Sequence, residues 1–343
     1  MRRRTRSLTL AVPAALLLGA AVLPAPSVSH AAPTRTAAAG YKVAFLPKAV
    51  GNPYFDTAFA GAKLAAKADG DAVIQVGPTS ADPSGQVTYI NALIQQHVNA
   101  IVVSADDPGV IVPALKKAMA RGIKVVSYDS DTNPDGRMIF CNQANTEAIG
   151  RIEVQIIGRE LGYKGDVAIL SAASTAPNQN IWIGFMKKEL ALPKYKNVHL
   201  VTTVYGNDDP QISTTSAQGL LTKYPNLRGI ISPTTVGIKA AAQVVKVAGK
   251  TGKVIVTGLG TPNDMRSYVL DGVVPDFALW NPSNLGYLAE YTAHALSAGT
   301  LKPATGATYA AGNLGSFTVA ANGVVLLGAP TEFTKTNIGN FHF

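Results

Sequence analysis

Lys42-Val-Ala-Phe-Leu-Pro-Lys-Ala-Val-Gly-Asn-Pro-Tyr-Phe55 holds a buried strand, a turn and the opening of a helix in one stretch. After Lys42 the run to Leu46 is apolar on both faces, as a strand covered by helices must be. Phe55 then starts a stripe with Phe59, Ala62 and Ala66, spaced i, i+4, i+7 and i+11, which is the buried face of a helix. The same unit recurs down the chain. Strands are expected at Lys42–Leu46, Val73–Val76, Ala100–Ser104, Lys124–Tyr128, Asp166–Ser171, His199–Tyr205, Gly229–Ser232, Val254–Thr257 and Phe277–Leu279. Between them, Ile111, Leu115 and Ala118 mark a helix opened by Asp107 as N-cap and Pro108 in its first turn. Others are expected from Val236 to Val247 and from Asn284 to Leu296. Strands alternating with amphipathic helices predict an α/β fold of parallel sheets joined by helical crossovers.

The series breaks near Asn142–Ile149, and a second series follows it. Phe277–Leu279 and its helix can lead the chain back to the first lobe, and the tail Ser316–Gly328 can cross once more. Repeated crossings between two α/β lobes make a hinge, and a hinge makes a cleft that closes.

The first residues have the form of an export signal, expected at 1–31: Arg2, Arg3, Arg4 and Arg6, the apolar run Leu8 to Leu23, then small residues to Ala31. Pro13, Pro24 and Pro26 argue against a retained membrane span. About 310 residues remain, enough for two lobes of ordinary domain size. The formal charge is +9, and four of those positive charges are leader arginines with no leader acid, which leaves +5 for the rest. That excess is scattered and forms no basic stripe, so a nucleic-acid partner is not expected. Cys141, the only cysteine, lies in the apolar run Met138-Ile-Phe-Cys-Asn142 and is expected to be a buried, inert thiol without a disulfide or a metal.

Each candidate polar cluster falls just beyond the carboxyl end of an expected strand, where open α/β sheets bind ligands. Lys48 and Asn52 follow the first strand, Asp106 and Asp107 the third, and Asp129 and Asp131 the fourth. Asn178, Gln179 and Trp182 come after Asp166–Ser171; Pro233, Thr234 and Thr235 after Gly229–Ser232; Trp280 and Asn281 after the last. These residue types suit a sugar ring, whose C–H face wants an apolar plate and whose hydroxyls want charged or amide partners. Asp129 and Asp131 lead, because an ionised carboxylate accepts from two neighbouring hydroxyls at once. Asp131 also opens the turn-rich Asp131-Thr-Asn-Pro-Asp-Gly136, where capping that turn would occupy it instead. Lys48 is expected to pair with these acids or to donate to a ring oxygen. Of Tyr54 and Phe55 only one is expected to face the cleft, and Phe55 is chosen. Trp182 and Trp280, the only tryptophans, are expected to be stacking plates.

Enzyme signatures are missing: there is no Gly-x-Ser-x-Gly, no His-Glu-x-x-His and no Gly-x4-Gly-Lys-Ser/Thr. Asn263 stands where Gly258-Leu-Gly260 would need a third dinucleotide-binding glycine. His97, His199, His294 and His342 are isolated from each other and from the acids in sequence, which speaks against a histidine-based triad or zinc site. Asp106 with Asp129 remains a possible acid pair for glycoside hydrolysis.

Pro47-Lys-Ala-Val-Gly-Asn-Pro-Tyr-Phe55, Tyr128-Asp-Ser-Asp131, Asn178-Gln-Asn-Ile-Trp182, Ile231-Ser-Pro-Thr-Thr-Val-Gly237, Gly258-Leu-Gly-Thr-Pro-Asn263 and Phe277-Ala-Leu-Trp-Asn-Pro282 resemble, in this order, the periplasmic sugar-binding proteins of ABC importers. The resemblance runs from about Tyr41 to the C-terminus and is strongest to the rhamnose-binding proteins and their relatives that bind autoinducer-2. It implies a type I binding fold of two Rossmann-like parallel-sheet lobes joined by three hinge strands, with 41–143 plus 281–307 in one lobe and 144–280 plus 308–343 in the other. It further implies a small sugar in the cleft, a membrane permease as partner, a monomer, and no cofactor or metal. The autoinducer-binding pattern of Lys, Asp, Asp, Gln, Pro and Ala falls on Lys48, Asp129, Asn178, Gln179, Pro233 and Thr235. Asn178 replaces an acid there and Thr235 a small apolar residue, both as in rhamnose-type sequences, which moves the expected ligand toward a deoxyhexose, with autoinducer-2 as the alternative. Relatives in single-membrane bacteria are usually lipoproteins, whereas this leader ends without the cysteine that lipid attachment needs. A leader in place of a helix-turn-helix argues against a sugar-responsive repressor sharing the fold.

Overall fold

The computed structural model describes residues 40–343. The leader expected at 1–31 lies outside the described residues. The first sheet is built from β1 (Lys42–Leu46), β2 (Ala72–Gln75), β3 (Ala100–Val103), β4 (Lys124–Tyr128) and β5 (Ile139–Asn142), linked by α1 (Pro53–Asp69), α2 (Pro83–Gln95) and α3 (Val112–Ala120). The second comprises β6 (Lys164–Ser171), β7 (Asn197–Tyr205), β8 (Leu227–Ser232) and β9 (Ile255–Gly258), with α4 (Thr146–Glu160), α5 (Pro177–Leu190), α6 (Pro210–Lys223) and α7 (Thr235–Val247) around it. Then come α8 (Pro262–Leu270), β10 (Asp276–Leu279), α9 (Pro282–Ser297), β11 (Thr308–Ala310), β12 (Ser316–Thr318), β13 (Val324–Leu326) and β14 (Thr331–Thr334).

Both main sheets are parallel, in the orders β13-β5-β4-β3-β1-β2 and β7-β6-β8-β9. The α/β expectation is met, and the expected strands recur within a few residues of their observed ends. Because strand side chains alternate between faces, β1 feeds two cores. Val43 and Phe45 join Ala58 and Ala62 of α1 and Leu288 of α9, while Ala44 and Leu46 join Leu93 of α2 and Leu115 of α3. Burying a side chain such as Phe45 completely contributes about 1.5–3 kcal/mol, and β1 does this on both sides. On the outer layer α1 and α9 touch backbone to backbone. A Cβ on Gly61 would collide with the Ser283 carbonyl oxygen, and one on Gly286 with that of Ala58.

The chain passes between the sheets at 143–145, at 280–281 and at 327–330. The return at 280–281 is made by α9, which packs on α1, β3 and β4, whereas Phe277–Leu279 stays beside the second sheet through the Leu259–Ala278 bridge and pairs with β14. The segment 308–343, expected wholly in the second lobe, divides: Val324–Leu326 pairs with β5 in the first sheet, and Thr331–Thr334 with β10. Short strands separated by Gly and Asn turns carry too little periodicity to reveal this. The helix expected from Asp107 begins instead at Val112, because the Asp107 Oδ1 accepts from the amides of Gly109 (2.8 Å) and Val110 (2.9 Å) and closes a separate turn first. Among the described residues, no helix is long and apolar enough to cross a membrane.

Candidate functional site

The carboxyl ends of both sheets face one cavity. It is lined from the first lobe by Lys48, Asn52, Tyr54, Phe55 and Asp129, from the second by Asn178, Gln179, Trp182, Asp208, Pro233, Thr234, Thr235, Leu259 and Leu279, and at the crossing by Trp280. The cavity is small, with about 40 Å³ open to the centre of a water-sized sphere.

Asp129 sits at its centre, one residue past β4, with φ +60°. That left-handed conformation is uncommon outside glycine but tolerated by Asp, and it turns the carboxylate inward. Oδ1 accepts from the Tyr54 hydroxyl (3.0 Å) and Oδ2 from the Ser104 hydroxyl (2.8 Å), with the Lys48 ammonium 4.0 Å away. Burial pushes the Asp129 carboxyl above the usual carboxylate range, against the opposing pull of Lys48 and the two hydroxyls. Tyr54 in turn accepts from the Trp280 indole N–H (2.8 Å), so a hydrogen-bonded chain runs from the crossing strand to the acid.

Lys48 spans the lobes by donating to Asn178 Oδ1 (2.9 Å), which also accepts from the Gln179 amide (2.9 Å) at the start of α5. Gln179 is fixed by its Oε1, which accepts from the Ser171 hydroxyl (2.8 Å) and the Ala172 amide (2.7 Å), leaving its NH2 end free to donate. Asn52 has two duties, since it lines the cavity and its Oδ1 caps α1 by accepting from the Tyr54 amide (3.0 Å). The Trp182 and Trp280 rings lie 5.8 Å apart at 57°, and Tyr54 meets Trp280 edge-on at 6.1 Å. Together their rings supply an apolar wall beside the charges, joined to Asp129 through the Tyr54 hydroxyl.

Ten of the thirteen residues singled out by sequence line this cavity: Lys48, Asn52, Phe55, Asp129, Asn178, Gln179, Trp182, Pro233, Thr235 and Trp280. Asp106, Asp131 and Asn281 do not. Asp131 makes a two-pronged ion pair with Arg137 (both contacts 2.8 Å) and accepts from Ser127, while Arg137 donates to the Asn322 carbonyl (2.6 Å), tying the turn after β4 to the segment before β13. Asp106 accepts from the Asp82 amide (3.0 Å) at the head of α2, and burial lifts its carboxyl to about 7. Asn281 caps α9 through the amides of Ser283 (2.9 Å) and Asn284 (3.3 Å) and faces the space behind the hinge. Asp106 and Asp129 therefore do not face one cavity as an acid pair. Nor does one aromatic exclude the other, as Tyr54 and Phe55 both line it.

Tyr54, Asp208, Thr234, Leu259 and Leu279 complete the wall. Asp208 follows β7, and applying the strand-end rule to Tyr205-Gly-Asn-Asp-Asp-Pro210 would have found it. Asn207 and Asp208 both adopt left-handed φ (54° and 52°), and the Asp208 carboxylate accepts from the Thr234 hydroxyl. Burial raises its carboxyl, opposed by Thr234 and Lys48. One ammonium thus answers two carboxylates. Asp208→Asn is expected to weaken ligand binding about tenfold by removing one charge-assisted acceptor. Calorimetric titration checks this, and unchanged affinity would exclude Asp208 from ligand contact.

A two-lobed α/β receptor, with polar groups from both lobes converging on a small cavity beside a three-stranded hinge, is what these features define. The chain belongs to the periplasmic binding protein domain family, whose model matches residues 43–301, and it shares that family's extracytoplasmic, sugar-binding role in ABC import. A sugar ABC transporter structure from Actinomyces odontolyticus is 43% identical, with a TM-score of 0.71 over 88% of this chain and 98% of that one. An ABC transporter solute-binding protein from Clostridium phytofermentas, with L-rhamnose bound, is 38% identical with a TM-score of 0.85, again over 88% and 98% of the two chains. The D-ribose/D-allose-binding protein of Pseudomonas aeruginosa is 24% identical over 68% of this chain and 75% of its own length.

Proposed function

We propose that this chain is a non-enzymatic receptor that closes on one monosaccharide, with rhamnose as the best reading, and presents the closed form to a membrane permease as a monomer. In this reading 41–143 with 281–307 moves as one body and 144–280 as the other, with Val324–Leu326 travelling with the first. The observation that carries it is the cavity's division of labour. Lys48 and Asp129 from one lobe and Asn178, Gln179 and Asp208 from the other surround a space whose remaining wall is mainly aromatic and aliphatic, with Asn52, Thr234 and Thr235 among it. A ligand bridging the lobes favours closure only as far as it binds the closed form better, and groups from both sides supply that difference. The two departures from the autoinducer pattern, Asn178 and Thr235, both line the cavity, where loss of an acid beside Lys48 favours a neutral deoxyhexose. The rhamnose bound in the Clostridium phytofermentas relative supports the same choice.

A thermal-shift screen of rhamnose, ribose, xylose, fucose and autoinducer-2 tests the reading, because a ligand that binds only the folded state raises the melting temperature by mass action. Rhamnose is expected to give the largest rise and to be recovered chemically unchanged. A larger rise with autoinducer-2 would replace the sugar, turnover of a glycoside would replace the receptor, and no rise with any of them would defeat the proposal.

A further inference from the structure

We infer that Tyr54 is a positioning residue for ligand capture: the Trp280 indole N–H fixes the direction of the Tyr54 hydroxyl, and that hydroxyl holds Asp129 as an acceptor for the ligand's own hydroxyls. This rests on the receptor reading above and gives a role to a phenol that lines the cavity without having been expected there.

The direction follows from counting donors and acceptors. An indole N–H can only donate, and a phenol has a single proton to give. The Tyr54 oxygen lies 2.8 Å from Trp280 Nε1 and 3.0 Å from Asp129 Oδ1. It therefore accepts from Trp280, and its proton goes to Asp129. Ser104 supplies a second donor, 2.8 Å from Oδ2. Each carboxyl oxygen thus receives a hydrogen from the protein, which suits the anion, whereas a neutral acid would give up an acceptor site to its own proton. The Tyr54 ring is buried and pinned edge-on by Phe55 at 5.1 Å and by Trp280 at 6.1 Å, so the hydroxyl stays where this arithmetic needs it.

The surroundings make that hold necessary. Burial favours the neutral form of Asp129, and Lys48, Ser104 and Tyr54 oppose it. Asp208, beyond β7, and Asp129 repel each other, while burial keeps the Tyr128 phenol at the end of β4 neutral. Removing the Tyr54 hydroxyl leaves all the other groups in place and takes away one of the three opposing pulls.

Calorimetric titration with L-rhamnose from pH 5 to pH 8 tests this in the wild type, Tyr54→Phe, Asp129→Asn and the double variant. Tyr54→Phe keeps the ring and its packing, and is expected to weaken binding about tenfold at pH 7, as the loss of one hydrogen bond to a charged group allows. Its affinity should begin to fall at a higher pH than that of the wild type as the solution is acidified, because the carboxylate without the Tyr54 proton takes up one of its own sooner. In the Asp129→Asn background the same change should cost no more than about twofold and leave the pH profile where it was, since the two residues act as one unit. Equal losses in the two backgrounds, or a Tyr54→Phe profile that superimposes on that of the wild type, would overturn the inference while leaving the sugar receptor intact. No binding of L-rhamnose to the wild type would defeat the inference together with the reading it rests on.

Discussion

Asp129→Ala is expected to weaken sugar binding by about a hundredfold. Asp129 is the acid the first lobe contributes to the cavity lining, and each of its oxygens, held by Tyr54 or Ser104, keeps a lone pair with which it can accept again. Its removal takes away a charge-assisted acceptor and also leaves Lys48, 4.0 Å away and 5% exposed, without its nearer carboxylate. A hydrogen bond from the ligand to a charged group is worth about 1.5–3 kcal/mol, and a hundredfold loss lies within that range. Alanine also tolerates the left-handed φ of +60° poorly, so part of any loss would be structural. Asp129→Asn separates the two effects, because asparagine accepts that conformation and keeps an oxygen acceptor. It is expected to lose about tenfold, with melting close to wild type. Calorimetric titration with rhamnose measures both variants. Wild-type affinity in a folded Asp129→Ala protein would mean that the ligand does not rest on this acid.

Much of this site was legible because parallel α/β sheets place their ligand contacts at strand ends, a rule that needs only strand positions. Lys48, Asp129, Asn178 and Gln179 follow from it directly. The failures have local causes. Asp131 meets the same positional test as Asp129, but Arg137 six residues later reaches back to it, and a two-pronged ion pair outcompetes an exposed role in the cleft. Asn281 precedes Pro282, and its side-chain Oδ1 is taken up by the free amides at the head of α9. Asp208 meets the same strand-end test, but it is told apart from Asp209, the N-cap of α6, only by the left-handed backbone at Asn207 and Asp208, which the run Gly-Asn-Asp-Asp does not declare. The division of 308–343 between the sheets was not legible, since three-residue strands such as β13 draw their place from pairing with β5 rather than from any pattern of their own.

Glu290→Gln is expected to remove a large part of the pH dependence of stability and to raise the melting temperature by several degrees at pH 8. Glu290 lies on the inner face of α9, fully buried, with neither carboxyl oxygen in hydrogen-bonding geometry to a partner. Burial, then repulsion from Asp71 and Asp69, lifts its carboxyl to about 9 from an ordinary 4.5. The histidine that stood apart in sequence, His294, meets the acids here, its Nδ1 lying 2.8 Å from Asp71, so that ring serves Asp71 and leaves Glu290 without a cation of its own. Above pH 4.5 the unfolded chain releases this proton while the folded chain keeps it. The folded state then binds more protons, and stability falls as pH rises from about 4.5 to about 9 and levels off beyond. Each unit inside that window removes at most about 1.4 kcal/mol. Asp106, Asp129, Asp208 and Glu153 are also raised by burial and tilt the profile the same way, so the difference between wild type and variant carries the test. Glutamine matches the shape of the protonated acid and does not titrate. Melting curves of both proteins from pH 4 to pH 9 should start together at the acid end and separate steadily as pH rises. Parallel curves across the range would show that Glu290 ionises in the folded protein as readily as in the unfolded chain.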